Sequence, residues 1–381
     1  MKSVNAVATK TKNQSNQLKS ESKAMAAIPK IELDPTLEAM DRETESLSAN
    51  KPRRVPSLAC STIGEPCERK TWFSWRMAGQ EKFSAESLYR FDDGFNVEAV
   101  TASRLARVPG IKIRTVNPNT GYQFALSLVD NHLQGRVDGL IDGLIQAPNT
   151  THVWEAKATN ESAFNSLKKA KIEHGENDAL KAWNLSYYSQ AVLYMHALNL
   201  SSHYLTCSTP GARSTISIIT NADPLYAQSL IEKATRIKES AHVPVGLSTD
   251  PTWYGCKFCT FHSLCFENKI ADVQCRSCLH STPVEAGQWH CAKFNQNVPD
   301  HFQVQGCDNH LFIPSLVPFA KAVDADEVEN SITYEKADGV TFKNGKGYYT
   351  SKEIQVIEDS NALGDKGVDT IKSVFGAEVV A

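Results

Sequence analysis

The chain has 381 residues, with 40 Lys and Arg against 43 Asp and Glu and a formal net charge of −3. That length buries a full core with appendages or a second domain, and the charge balance excludes a global basic field, so nucleic-acid contact would need a local groove. No apolar run reaches the ~20 residues of a membrane span and no signal-peptide core stands before a cleavage site, so a soluble, cytoplasmic protein without membrane partners is expected, its ten cysteines being metal ligands or thiols rather than disulfides.

Residues 1 to 50 are rich in Lys, Ser, Asn, Gln and Ala, lack apolar periodicity and read as a disordered tail. The first thirty residues carry six lysines but no arginine, which argues against an organellar transit peptide. In IGEPCERKTWFSWR, Pro66 and the spacing of the apolar residues predict a helix beginning near Cys67. RFDDGFNVEAVTASRLARVPGIKI predicts an amphipathic helix opened by Gly94 and carrying Glu98, a residue that on such a helix is ordinarily solvated.

The stretch GRVDGLIDGLIQAPNTTHVWEAK, residues 135 to 157, predicts two strands joined by a turn at Pro148-Asn149. On the second strand Val153, Glu155 and Lys157 share one face, and Trp154 and Ala156 the other. A partner strand that brings Asp138 alongside makes two carboxylates and a lysine converge. These charges lie in apolar segments, and ionised groups are rarely buried unless paired or bound to metal. Hard oxygen ligands suit Mg²⁺, with a lysine to orient a water or neutralise phosphate charge.

Beyond Lys157, the lysines 168, 169, 171 and 181 with Tyr187 and Tyr188 suit a nucleic-acid strand, or an ordinary solvated helix face. Gln190 and Tyr194 are four apart and share a helix face. STISIIT follows as another core strand, giving a βαβ-like order around a mixed sheet. Cys256, Cys259 and Cys265 are spaced C-x2-C-x5-C; with Cys67 they make four thiolates, which fits tetrahedral zinc or a cubane iron-sulfur cluster, with Cys60 the fallback fourth ligand. Cys275, Cys278, Cys291 and Cys307 resemble a zinc module, although His280, His290, His301 and His310 compete with Cys307 for the last place. In residues 319 to 381, an acidic linker precedes a hairpin expected to turn at Asn344-Gly345.

Asp138, then Glu155-Ala156-Lys157, then Gln190-x3-Tyr194 on a following helix, resembles the PD-(D/E)XK nuclease superfamily. The resemblance is closer to its RecB-like branch, with the CRISPR-associated, AddB-type and phage-encoded iron-sulfur nucleases, and covers roughly residues 55 to 270; Val137 stands where the family name has proline. It implies a restriction-endonuclease-like α/β core, a mixed sheet flanked by helices, over residues 51 to 270. A cysteine-rich zinc module (271 to 318) and an accessory region (319 to 381) follow. It further implies Asp138 and Glu155 as Mg²⁺ or Mn²⁺ ligands, Lys157 beside the attacking water, Glu98 as a further metal contact, and Gln190 and Tyr194 positioning the site. It selects a 4Fe-4S cluster for Cys67, Cys256, Cys259 and Cys265. The implied activity is hydrolysis of DNA phosphodiesters by an exonuclease acting on single- or double-stranded ends, with recombination proteins as partners. A structure-specific endonuclease and a non-catalytic DNA-binding scaffold are the alternatives.

Overall fold

The computed structural model describes residues 34–51, 55–80, 82–357 and 359–380. It is a mixed α/β fold whose largest sheet has five strands. In chain order these are β1 (Lys112–Arg114), β2 (Gly139–Asp142), β3 (His152–Ala158), β4 (Ser202–Ser208) and β5 (Thr215–Asn221). Neighbours in sequence are neighbours in the sheet. All pairings are antiparallel except β3 with β4. A parallel neighbour needs a crossover, and two helices, α2 (Glu161–Trp183) and α3 (Leu185–Leu198), which follow α1 (Ala85–Leu105) in the chain, supply it.

Period-2 alternation along β3 sorts its side chains as the sequence predicts. Val153 enters the main core, whereas Trp154 and Ala156 pack on the other side with Ile141, Leu144 and Tyr204. The Trp154 indole donates to Thr206 Oγ1 at 3.0 Å, which satisfies its polar tip inside that second cluster.

Several expected boundaries shift. Residues 1–33, read as a tail, lie outside the described residues, but Pro35–Ala49 is a helix, N-capped by Asp34 with Pro at its first position. It buries no residue of its own and is tied down by Tyr89 donating to Asp41 and by Ala85 N–H donating to Glu45. The Glu98 helix runs from Ala85 to Leu105, capped by Ser84. Gly94 therefore sits in its interior rather than at its start, where open space around it makes the glycine a mild cost.

The segment after residue 270 shares the main core. Trp289, Leu311, Phe312, Ile313, Leu316 and Val317 pack in one cluster with Trp72, Trp75 and Leu133. The acidic linker is a strand, Ala320–Asp326, in a three-stranded antiparallel sheet with Ser331–Lys336 and Thr341–Gly345. Asn344-Gly345 ends a strand instead of turning it, because the buried Asn344 side chain accepts from Phe312 N–H and donates to the Tyr349 carbonyl and Ser351. The turn falls at Gly339, where φ is +79°. No described helix is long and apolar enough to cross a membrane.

Candidate active site

The register of the β2–β3 hairpin places Gly139 opposite Trp154. Asp138, one residue before β2, thereby comes level with Glu155, and its Oδ2 accepts from Ala156 N–H at 2.8 Å. Glu155 is 4% exposed. Its Oε1 accepts from Gln190 Nε2 at 3.0 Å and from Lys157 Nζ. Its Oε2 is buried without a hydrogen-bond partner among the described residues. The same Gln190 amide donates to Tyr194 O–H at 2.9 Å, so the i, i+4 pair on α3 acts as one bracket on the carboxylate.

Electrostatics follow from this crowding. Burial pushes the Glu155 carboxyl up to about 7, Asp138 adding to the rise and Lys157 opposing it. Glu98, half-buried on the helix packed against β3, is also raised to about 7, by burial and then by Asp138. Burial likewise raises Asp138, against the pull of the Ala156 N–H and Lys157. Burial works against the Lys157 ammonium, but Glu155 outweighs it and holds its pKa above the ordinary lysine value. Three carboxyls and one ammonium thus share one electrostatic field, with a free carboxylate oxygen inside it. Hard oxygens of this kind have the chemistry a divalent cation takes, although among the described residues they are not gathered to hold one as the side chains stand.

Two neighbours were not assigned to the site from sequence. The Tyr187 ring lies 5.0 Å from Lys157 Nζ and 5.5 Å from the Trp183 ring, so it covers the ammonium. Its position three residues before Gln190, on the same helix face, is the signal that could have found it. Gly135 is the second: a Cβ there would stand 2.6 Å from Tyr194 Cε1 and 3.2 Å from Cys60 Sγ. Of the lysines expected along a strand path, Lys169, Lys171 and Lys181 pair with Glu173, Glu176 and Asp223, and Lys168 lies over Phe164.

Cys67, Cys256, Cys259 and Cys265 line one cavity of ≈ 210 Å³, with Arg69 Nη1 3.8 Å from Cys265 Sγ. Cys275, Cys278, Cys291 and Cys307 line another, of ≈ 350 Å³. Cys60 is buried apart from both, next to Tyr194. Among the described residues, no group of three or more His, Cys, Asp or Glu side chains is gathered so that it could hold a metal ion as the side chains stand.

No protein-family model matches the chain, and no curated protein does. Among solved structures, an alkaline exonuclease from Laribacter hongkongensis is similar at 11% identity and a TM-score of 0.34, over 51% of this chain and 90% of that one. A phage-related exonuclease from Haemophilus somnus 129PT is similar at 9% identity and a TM-score of 0.30, over 48% of this chain and 93% of that one.

Proposed function

We propose that the chain is a metal-dependent nuclease that hydrolyses DNA phosphodiesters at the Asp138, Glu155 and Lys157 site. The observation that carries this reading is the Oε2 of Glu155, buried without a hydrogen-bond partner among the described residues, in a field made by Asp138, Glu98 and Lys157. Asp138 and Glu155 would hold the ion, with Glu98 as a further contact. A bound Mg²⁺ or Mn²⁺ supplies Lewis-acid stabilisation of the phosphoryl oxygens. Gln190 engages Oε1 and so leaves Oε2 free, while Tyr194 fixes the Gln190 amide. The Lys157 ammonium, covered by Tyr187, orients a water and opposes the negative charge that grows on the phosphate.

In the same proposal, Cys67, Cys256, Cys259 and Cys265 hold a 4Fe-4S cluster that ties the start of the Glu68–Trp75 helix to the segment after the sheet, supported by their common cavity. Action on DNA ends, with a place in recombination or end processing, rests on the motif resemblance alone.

The test is cleavage of end-labelled linear single- and double-stranded DNA, with circular DNA as control, by protein purified without oxygen, with Mg²⁺, Mn²⁺ or chelator. Metal-dependent shortening of linear DNA by the wild type, with folded Lys157→Ala inert, is the expected result. Cutting of circles assigns endonuclease action instead, and binding without cleavage of any substrate overturns the enzyme reading.

A further inference from the structure

The second cysteine set lies against two buried charges. Arg76 is 3% exposed, donates to the carbonyls of Arg276 and Ser281 at 3.2 and 3.1 Å, and packs over Trp289 with its guanidinium carbon 4.8 Å from the ring centroid. Its Nε is buried without a hydrogen-bond partner among the described residues. Arg276, between Cys275 and Cys278 in the chain, is also 3% exposed. It donates to Gln303 Oε1 at 2.9 Å and to the Trp75 carbonyl at 3.0 Å, and lies 4.7 Å from the Trp289 centroid.

Neither guanidinium has a carboxylate within ion-pair distance among the described residues. The acidic group acting on Arg76 is Cys278, and only Asp300 acts on Arg276, from longer range. Two buried positive charges without close counter-charge are costly, and folded proteins offset such charges with paired groups.

Four cysteines line one cavity near these charges. The Cys275-x2-Cys278 turn is already closed, Cys278 N–H donating to the Cys275 carbonyl at 3.1 Å. Cys291 ends the strand Trp289–Cys291, and Cys307 follows the short helix Asp300–Gln303. Each thiol of the knuckle feels Cys307 electrostatically, and Cys275 also feels Cys291. Of the competing histidines, His280 Nε2 bonds Asn330 Oδ1 at 2.7 Å and His310 Nε2 lies between Ser277 Oγ and the Gln274 carbonyl, while His310 Nδ1 is buried without a hydrogen-bond partner among the described residues, which leaves His310 the one rival to Cys307.

We propose that Cys275, Cys278, Cys291 and Cys307 bind one zinc ion as four thiolates, and that the net double negative charge of this site offsets the buried guanidiniums of Arg76 and Arg276. Binding forms four Zn–S bonds and releases four thiol protons to solvent, with no redox change. The side chains turn toward the shared cavity to do so. A three-cysteine, one-histidine site would leave one arginine uncompensated, which is why the charge count selects Cys307 over His310. The proposal is independent of the nuclease reading, since it concerns neither the carboxylates nor cleavage.

The test uses the full chain equilibrated with excess zinc under reducing, anaerobic conditions and then desalted. Elemental analysis should give one zinc per chain in wild type and in His310→Ala, and loss of it in Cys307→Ser, with iron content unchanged by either substitution. Cobalt-substituted wild type should show thiolate-to-cobalt charge transfer of a four-sulfur site, a readout that needs no variant. Stripping zinc should lower the melting temperature of wild type by more than that of Arg76→Met. Substoichiometric zinc, iron in its place, or a three-sulfur cobalt spectrum overturns the metal assignment. Equal melting losses in wild type and Arg76→Met overturn the charge compensation.

Discussion

Substituting Lys157→Ala separates what the lysine does for folding from what it does for chemistry. Its ammonium is bonded to Glu155 Oε1, and the two side chains are 19% and 5% exposed. Glu155 titrates near 7 in the fold and near 4.3 unfolded, roughly the free-residue value. A carboxyl raised on folding contributes stability that is complete at acid pH and declines as pH rises through the folded pKa. In wild type that decline levels off above 7. Without Lys157 the Glu155 pKa rises further, so the variant keeps losing stability where wild type has stopped, by about 1.4 kcal/mol per pH unit. The limit is the roughly 3–5 kcal/mol seen when a buried pair loses one partner. Urea unfolding with chelator present should therefore show near-equal stability at about pH 6 and a deficit of ~1–2 kcal/mol at about pH 8.5. Cleavage should be absent at both. A deficit of the same size at the two pH values would refute the electrostatic account and leave a packing loss.

Two further outcomes follow from the same geometry. Because Glu98 and Glu155 both titrate near 7, Mg²⁺ must displace protons below that pH, so its affinity should rise by about tenfold or more per pH unit up to 7 and then flatten. Calorimetry in buffers of different ionisation enthalpy reads this directly, and absence of proton release at about pH 6 would contradict it. Gly135→Ala puts a Cβ against the Tyr194 ring and should cost ~1–3 kcal/mol as overpacking, while slackening the Gln190 bracket. Thermal unfolding and the Mg²⁺ concentration needed for cleavage should shift together, and Tyr194→Leu in the same chain should recover part of the stability loss by making room.

The strand carrying Glu155 and Lys157 was legible because its alternation fixes two faces and one of them holds Trp154 and Ala156 in a separate apolar cluster. Asp138 was legible through the hairpin spacing that brings it level with Glu155. Gln190 and Tyr194 were legible through their four-residue interval. What local pattern could not show was depth. Gly94 reads as a punctuator, but a glycine with open space around it is tolerated inside a helix that Ser84 has already capped. Asn344-Gly345 reads as a turn, but Asn344 is fully buried and its amide serves three separate groups, a role that only the tertiary structure creates. The cysteine spacing of residues 275 to 307 says nothing of depth, whereas the apolar residues of LFIPSLVPF, just beyond it, join the core that begins at Leu58. Tyr187 reads in the sequence as an aromatic near lysines, yet its partner, Lys157, is thirty residues away in sequence and adjacent only once α2 has folded back along the sheet.

The continuity of that core from Leu58 to Leu363 bears on how the chain can be cut. A protease nick at the exposed tip near Val328, which is 95% exposed, would sever the backbone but not the particle. Strand Ser331–Lys336 would still pair with Ala320–Asp326 across the break, and Phe312 would still sit between the Asn344 side chain and the Tyr334 hydroxyl. Ending the chain at residue 270 is a different operation: it strips Trp289 from the Trp75 ring and uncovers apolar surface that the upstream part has nothing to replace. Nicked protein should stay together on a sizing column, and the shortened chain should aggregate.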